Sequence, residues 1–430
     1  MRSIPPVRDD EGLVVKVRMP ADGGLFLGRA LLLCVVVSML LSTTISVAIE
    51  CAAYIAFVSV PALRRRLWDV ILRHPVALAM MPFEIVLIVG AFHGPAPWIE
   101  SVKGLVAWRR IWLIALALAA FTDAPSKRLA LRVVVVTCLV GALVSFVTDA
   151  GSISLSARLD PGIVFQNYAT QGMVLSVAII VCIAALLRPA AFSADRLLGH
   201  RWIMVGVLAA LAADVVFVLW SRTGYLSALV MSVAIALLLA PGTWRLKLAT
   251  GSAILIGCVA LMLASPHVRG RLAQARDEIA TVDRATEGTP IGMRIVMWRN
   301  SWRMIIDHPL FGVGTGGFQS GYAPYVQGVD GWRGFLTDDP HNQYLKLLGE
   351  TGILGLGTFL FLLYVAFRYP AAPPYRELAA AALIGWCATS LANSDFSTQV
   401  EGRMIYFWLG AMLGAVTPAA VKEGAAEPTR

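Results

Sequence analysis

Apolar runs of about 16–22 residues recur along this chain, separated by short polar stretches. Wound as a helix at about 1.5 Å per residue, a run of that length matches the hydrocarbon thickness of a bilayer. Backbone groups in lipid must bond internally, so such runs are helices. A transmembrane barrel would show short alternating segments, and these do not alternate. Of 430 residues, 58% are hydrophobic and 15% charged, with mean hydropathy +0.72. Soluble domains run nearer 45–50% apolar and roughly 25% charged. The expected fold class is an all-α polytopic membrane protein.

The pattern predicts twelve transmembrane helices, near 25–43, 46–62, 76–93, 104–121, 133–148, 168–187, 202–220, 225–240, 248–265, 351–368, 377–393 and 404–417. The first two are nearly fused and predict a tight hairpin; the fourth and last are short. The expected organisation is a tail at 1–24, helices one to nine over 25–265, one large loop at 266–350, helices ten to twelve over 351–417, and a tail at 418–430. The first apolar run lacks a small-residue cleavage site and reads as an anchor. Alternate short loops hold fourteen Lys and Arg, among them Arg64, Arg65, Arg66, Lys127, Arg188, Arg245 and Arg376, against four acids. The positive-inside rule puts those loops and both termini in the cytoplasm. Much of the net charge of +9 is then an orientation signal and not a nucleic-acid footprint. The six cysteines lie in or beside apolar runs, with no CxxC and no disulfide framework.

The segment 266–350 is far longer than an ordinary connection, and long loops tend to carry function. Residues 291–306, "IGMRIVMWRNSWRMII", place apolar side chains at 291, 295, 298, 302 and 305, which is helical spacing. Trp298 and Trp302 on that stripe predict a helix lying on the bilayer or against the bundle. Eight arginines and no lysine precede Lys346 in this segment. Arginine grips phosphate or carboxylate oxygens in pairs and keeps its charge. Nine acids between Asp277 and Glu350 could pair most of them; Arg294 stands apart because it shares the helix with the tryptophan stripe.

Arg222, in "SRTG", sits between two helices joined by almost no loop, where a charge is costly without a partner or water. It either snorkels to the interface or binds a ligand, with Ser221 and Tyr225 keeping the site polar. Arg109 and Arg110 fall in the fourth run and pose the same choice. His341 lies in "DDPHNQYLKLLGETGILGLG", just before the tenth run. Pro340 disfavours helix at Asp339, so a helix starts near His341 or Asn342. A helix N-terminus favours neutral imidazole, and a histidine's ordinary pKa of about 6.5 suits a general base. A surface or capping histidine is the plainer alternative. "GVGTGG" at 312–317 satisfies G-x-G-x-x-G but follows an amphipathic helix, with no βαβ unit around it, so a dinucleotide site is not expected. Asp338, Asp339 and His341 are metal ligands by type, yet lack a distant partner, and no metal or other cofactor is expected.

"DDPHNQYLKLLGETGILGLG" resembles the most specific motif of the O-antigen ligase and polymerase superfamily: His341 and Asn342, a Leu-rich stretch, then Glu350, Gly352 and Gly355. "SRTG" and "MRIVMWRNSWRMIIDHPLFGVGTGGF" are similar to that family's arginine turn and to its Arg-x-x-x-Trp helix with a following Gly-x-Gly. The resemblance implies a GT-C-like glycosyltransferase of the bacterial inner membrane with a periplasmic site. Its donor would be a glycan on undecaprenyl diphosphate. For a ligase, its acceptor would be a sugar hydroxyl of lipid A–core oligosaccharide. It also implies a catalytic His341, diphosphate binding by Arg222 and Arg294, and no metal. Asn342, Tyr225, Arg109 and Arg110 are the candidate supporting residues. A Wzy-type polymerase, which extends a growing glycan, and a protein O-oligosaccharyltransferase, which accepts Ser or Thr, share these parts. A lipid-linked sugar transporter would instead need internal repeats and ionisable residues deep in its helices. No repeat is visible, and Glu84, Asp214, Arg109 and Arg110 are the charges placed for that role.

Overall fold

The computed structural model describes residues 21–38, 42–156, 159–281 and 287–414. The expected tails, 21–24 excepted, lie outside these residues, as does Arg284. Helices and no strands occur among the described residues. The bundle opens with α1 (Ala21–Ser38), α2 (Thr43–Ser59), α3 (Pro61–Arg73) and α4 (Pro75–Gly90). Then come α5 (Trp98–Trp108), a 3-10 turn (Arg109–Trp112), α6 (Leu113–Ala120), α7 (Ala124–Ala150), α8 (Tyr168–Leu187) and the single turn α9 (Pro189–Phe192). α10 (Arg201–Ala213) runs on as a π-helical turn (Asp214–Val218). α11 (Arg222–Leu239), α12 (Trp244–Ala264), α13 (Pro266–Thr281), α14 (Pro290–Asp307) and α15 (Phe318–Tyr322) lead to α16 (Gln343–Arg368), α17 (Tyr375–Thr389) and α18 (Gln399–Leu413).

Every stretch expected to cross a membrane is largely helical where described, but six helices are individually long and apolar enough to do so: α7, α8, α10 with its π turn, α11, α12 and α16. The count rises to seven if α2 and α3 form one span, bent by 91° at Val60–Pro61. Breaks account for the shortfall. Pro61 and Pro75 each open a new helix, because proline is well suited to a first turn and cannot continue the preceding one. The expected fourth helix divides into α5, a 3-10 turn and α6. α8 stands at the centre of the bundle and α12 at its edge, with 89% and 6% of their apolar windows buried.

The interior also holds charge. Glu50 and Arg403, both fully buried, pair at 2.6 Å, and Arg109 reaches the other oxygen of Glu50 at 3.2 Å. Tyr54 donates to Glu50 and to the Arg109 carbonyl. This cluster ties α2 to the 3-10 turn and to α18.

α16 is interrupted at Gly352, whose φ of 63° and ψ of −164° lie outside helical space. The gap leaves backbone groups unpaired, and the segment after α14 fills it. Val313 and Gly314 donate to the carbonyls of Gly349 and Glu350, each at 2.8 Å, while Ile353 donates to Pro309 at 2.9 Å. On its other side, Thr315 donates its amide to Gly90 at 3.0 Å and its hydroxyl to Leu87 at 2.7 Å. Gly312, Gly314 and Gly316 all have positive φ, and a Cβ at Gly314 would come within 1.8 Å of the His93 carbonyl oxygen. "GVGTGG" is thus a clamp between α4 and α16. A Cβ at Gly352 would sit 2.2 Å from the Leu310 carbonyl oxygen. Gly352→Ala should therefore cost at least about 1–3 kcal/mol from backbone strain alone. The expected outcome is a lower thermal unfolding midpoint for the detergent-solubilised protein; an unchanged midpoint would count against the clamp.

Candidate active site

Leaving the π turn, the chain caps α11 with Ser221, whose Oγ accepts the Gly224 amide at 3.0 Å. The Tyr225 hydroxyl donates to the Leu219 carbonyl, so this tyrosine fixes the turn. Arg222, the first residue of α11, is half-buried and pairs with Glu278 of α13 at 3.1 Å. The second oxygen of Glu278 accepts the Ile291 amide at the start of α14, at 2.9 Å. Less than one turn later Arg294 donates to Asn393 Oδ1 at 3.3 Å, and Asn393 donates to the Thr223 hydroxyl at 2.9 Å. Arg222 and Arg294, on elements far apart in sequence, face one cavity of about 410 Å³.

Both arginines are incompletely paired there. Among the described residues Arg294 has no carboxylate within ion-pair distance, and the buried Nε of Arg222 has no hydrogen-bond partner. Burial, and after it the charge of Arg222, pull the Arg294 pKa below arginine's usual range. Two cations that repel across a partly desolvated cavity favour an anion between them. Ile291, Ile295 and Trp298 form an apolar wall beside them. The stripe read from the sequence therefore splits. Its 291–298 part lines the cavity, Trp302 is exposed, and α14 buries Met297, Ser301 and Met304 against its neighbours.

The Trp298 indole donates to the Pro340 carbonyl at 2.8 Å, which brings the segment 338–341 to the cavity's edge. His341 has φ of 52°, in the left-handed region. Its amide donates to Asp339 Oδ1 at 2.7 Å, and the same oxygen accepts the Ser394 hydroxyl at 2.7 Å. Lys346 pairs with the other Asp339 oxygen at 3.3 Å. Asn342 caps α16, accepting the Tyr344 and Leu345 amides at 3.0 Å each, and donates to the Leu391 carbonyl at 2.8 Å. The imidazole is exposed and makes no hydrogen bond to another described residue. Burial of its surroundings lowers its pKa; Asp339 pulls the other way, and Arg294 and Lys346 reinforce the lowering. Burial raises Asp339, but Lys346, Ser394 and the His341 amide leave it below the ordinary carboxylate range. The result is a neutral imidazole beside a fixed carboxylate, within electrostatic reach of Arg294.

Arg222, Arg294, His341 and Asn342 thus gather at one end of the bundle. Arg109 and Arg110 do not reach this cavity. Arg109 serves Glu50, and Arg110 is buried with Nη1 donating to the Ala107 and Ser397 carbonyls at 2.8 and 2.9 Å. Sequence reasoning missed Glu278, Asn393 and Asp395. Asp395 is buried near Arg294, and burial, with Glu401 adding to it, pushes its carboxyl up to about 8. "ANSDFS" carries no motif that would have marked it. Among the described residues no group of three His, Cys, Asp or Glu is arranged to hold a metal.

Since its pKa is lowered, His341 should remain unprotonated to below pH of about 6.5. Carbethoxylation of neutral imidazole, followed by mass spectrometry, should show its half-reaction point on the acid side of that value. Asp339→Asn, which removes the larger of the two charges holding the pKa up, should move the point further down. A midpoint above about 6.5 in the unmodified chain would contradict the geometry.

Residues 207–360, which span Arg222, Arg294 and His341, match the family model described as O-antigen ligase. No curated protein matches the chain.

Proposed function

The match over residues 207–360 supports membership of the O-antigen ligase/polymerase superfamily, and from that premise we propose that the chain is an O-antigen ligase. It would transfer a glycan from undecaprenyl diphosphate to a sugar hydroxyl of lipid A–core oligosaccharide, at the periplasmic face of the bacterial inner membrane. The observation that carries the reading is the pairing of an under-compensated arginine couple with a neutral histidine at the same end of an apolar bundle. In this reading the helices make twelve crossings, with both termini cytoplasmic and the segment 266–350 periplasmic.

The donor carries its own leaving group, so the step needs no nucleotide. His341 takes the proton of the acceptor hydroxyl. The freed oxygen forms a bond to the anomeric carbon as the bond from that carbon to the phosphate oxygen breaks. The electron pair leaves with the diphosphate, whose growing charge Arg222 and Arg294 neutralise. Attack opposite the leaving group inverts the anomeric centre. A retaining route through a covalent intermediate would require a carboxylate nucleophile at the sugar, and Asp339 is already committed to Lys346, Ser394 and the His341 amide. Fixed arginines take the place that a divalent cation holds in other phosphate chemistry. Lipid A–core and undecaprenyl tails both end in the bilayer, which accounts for a base seated at the head of a membrane helix.

In vitro transfer from lipid-linked glycan to lipid A–core, with EDTA present, tests this reading. Wild type should transfer, and His341→Ala should lower kcat by about 10²–10⁴-fold. Arg222→Ala and Arg294→Ala should each cost about 10²–10³-fold. Elongation of the lipid-linked glycan without transfer to core would identify a polymerase. Full activity of His341→Ala would remove the proposed base.

A further inference from the structure

α3 lines no part of the arginine cavity, and its sequence, "PALRRRLWDVILR", is built for a different contact. The apolar run of α2 ends at Val60–Pro61, where the chain turns by 91° into α3. With α2 crossing a bilayer, a helix turned through a right angle lies along the bilayer surface. One face of α3 is spent on the protein: Leu63 and Leu67 are buried, and the helix packs on α1, α4 and α6. Trp68 and Leu72, one turn apart, project elsewhere and are 56% and 65% exposed. Arg64 and Arg65, four and three residues before Trp68, share its face, and Arg66 flanks it. All three arginines are exposed.

The charge on this surface is mostly uncompensated. Its one acid, Asp69, is taken by Arg73 at 3.2 Å, and Arg64 reaches back to the Val58 carbonyl at 3.4 Å. Among the described residues Arg65 and Arg66 have no ion pair. Four arginines against one acid repel a second copy of the same surface and attract an anion. A purely polar polyanion would leave the tryptophan and leucine beside them in water. An anionic bilayer surface satisfies both, because Trp and Leu side chains enter the acyl boundary while guanidiniums hold headgroup phosphate. Trp202 and Trp244 repeat the pairing. Both are exposed, each lies against the guanidinium of a neighbouring arginine, and they open α10 and α12 in the set of loops that the positive-inside pattern groups with α3. We propose that α3 is a docking surface for anionic phospholipid, with Trp68 and Leu72 in the acyl boundary and Arg65 and Arg66 on headgroup phosphates. Such a surface requires only a membrane-spanning bundle and is independent of the glycosyl transfer proposed above.

The full-length protein, reconstituted into phosphatidylcholine vesicles that also contain phosphatidylglycerol, tests the assignment. Bromine on the acyl chains of one lipid or the other quenches nearby tryptophan, and the difference between wild type and Trp68→Phe isolates Trp68 among the 12 tryptophans. Two arginines at an anionic surface correspond to a preference of up to about 30-fold for phosphatidylglycerol at low ionic strength. Brominated phosphatidylglycerol should therefore quench Trp68 well beyond its share of the vesicle lipid, and the double variant Arg65→Gln, Arg66→Gln should bring quenching down to that share. Raising salt to about 1 M, which cuts the Debye length to about 3 Å, should do the same to wild type without any substitution. Quenching by both lipids in proportion to their abundance overturns the anionic preference, and a preference that survives both the double variant and the salt overturns its assignment to these arginines. Absence of quenching by either lipid overturns docking on the bilayer; shielding that grows with protein density would give the face to a second copy instead.

Discussion

One buried amide side chain holds the loop end of the bundle in register. Gln343 is fully buried at the first turn of α16. Its backbone N–H is shared between the Ser390 and Asn393 carbonyls at 3.0 and 2.9 Å, and its Oε1 accepts the Phe396 and Ser397 amides at 3.1 Å each. These bonds fix the turn between α17 and α18. That turn then supplies Asn393 to Arg294, Ser394 to Asp339 and the Leu391 carbonyl to Asn342. Leaving a buried polar group unmade costs about 1–3 kcal/mol, so the turn cannot slip by a residue without losing several such bonds together. Both the arginine that faces the cavity and the carboxylate behind His341 depend on it.

The bundle handles buried cations in two contrasting ways. Arg403 and Arg109 share Glu50 deep inside, where an unpaired charge would be prohibitive, and they serve to join helices. Arg222 and Arg294 lie at the rim, with a single carboxylate, Glu278, in ion-pair contact with Arg222. That carboxylate is divided between Arg222 and the Ile291 amide. The difference separates structural arginines from those with charge left to offer, and residue type alone could not have made it. It is also why Arg109, attractive by residue type as a phosphate ligand, belongs to the scaffold.

Much of this was legible from the sequence for physical reasons. Lipid forces helical hydrogen bonding, so apolar runs located the helices; the expected run 168–187 coincides with α8. Run length says less about crossing number, because a helix packed inside a bundle need not be long enough to span alone, and Pro61, Pro75 and the 3-10 turn at Arg109 shorten several. Arg222, Arg294 and His341 were singled out by chemical type and local context, and the fold brings them to one end. Their partners were illegible: Glu278 lies 56 residues from Arg222 and Asn393 lies 99 from Arg294, and nothing local distinguishes either. Glu50 and Arg403 are 353 residues apart and meet only in three dimensions.

The left-handed backbone at His341 has its own consequence. Glycine enters that region freely, asparagine, aspartate and histidine do so more readily than other residues, and β-branched residues resist it. Under the proposed mechanism position 341 answers to main-chain geometry and to proton chemistry, two demands with different lists of acceptable residues. Asparagine satisfies the first and fails the second. The turn into α16 could therefore stand intact around an inert side chain, and a chain so altered would keep the arginine cavity while losing the proposed base.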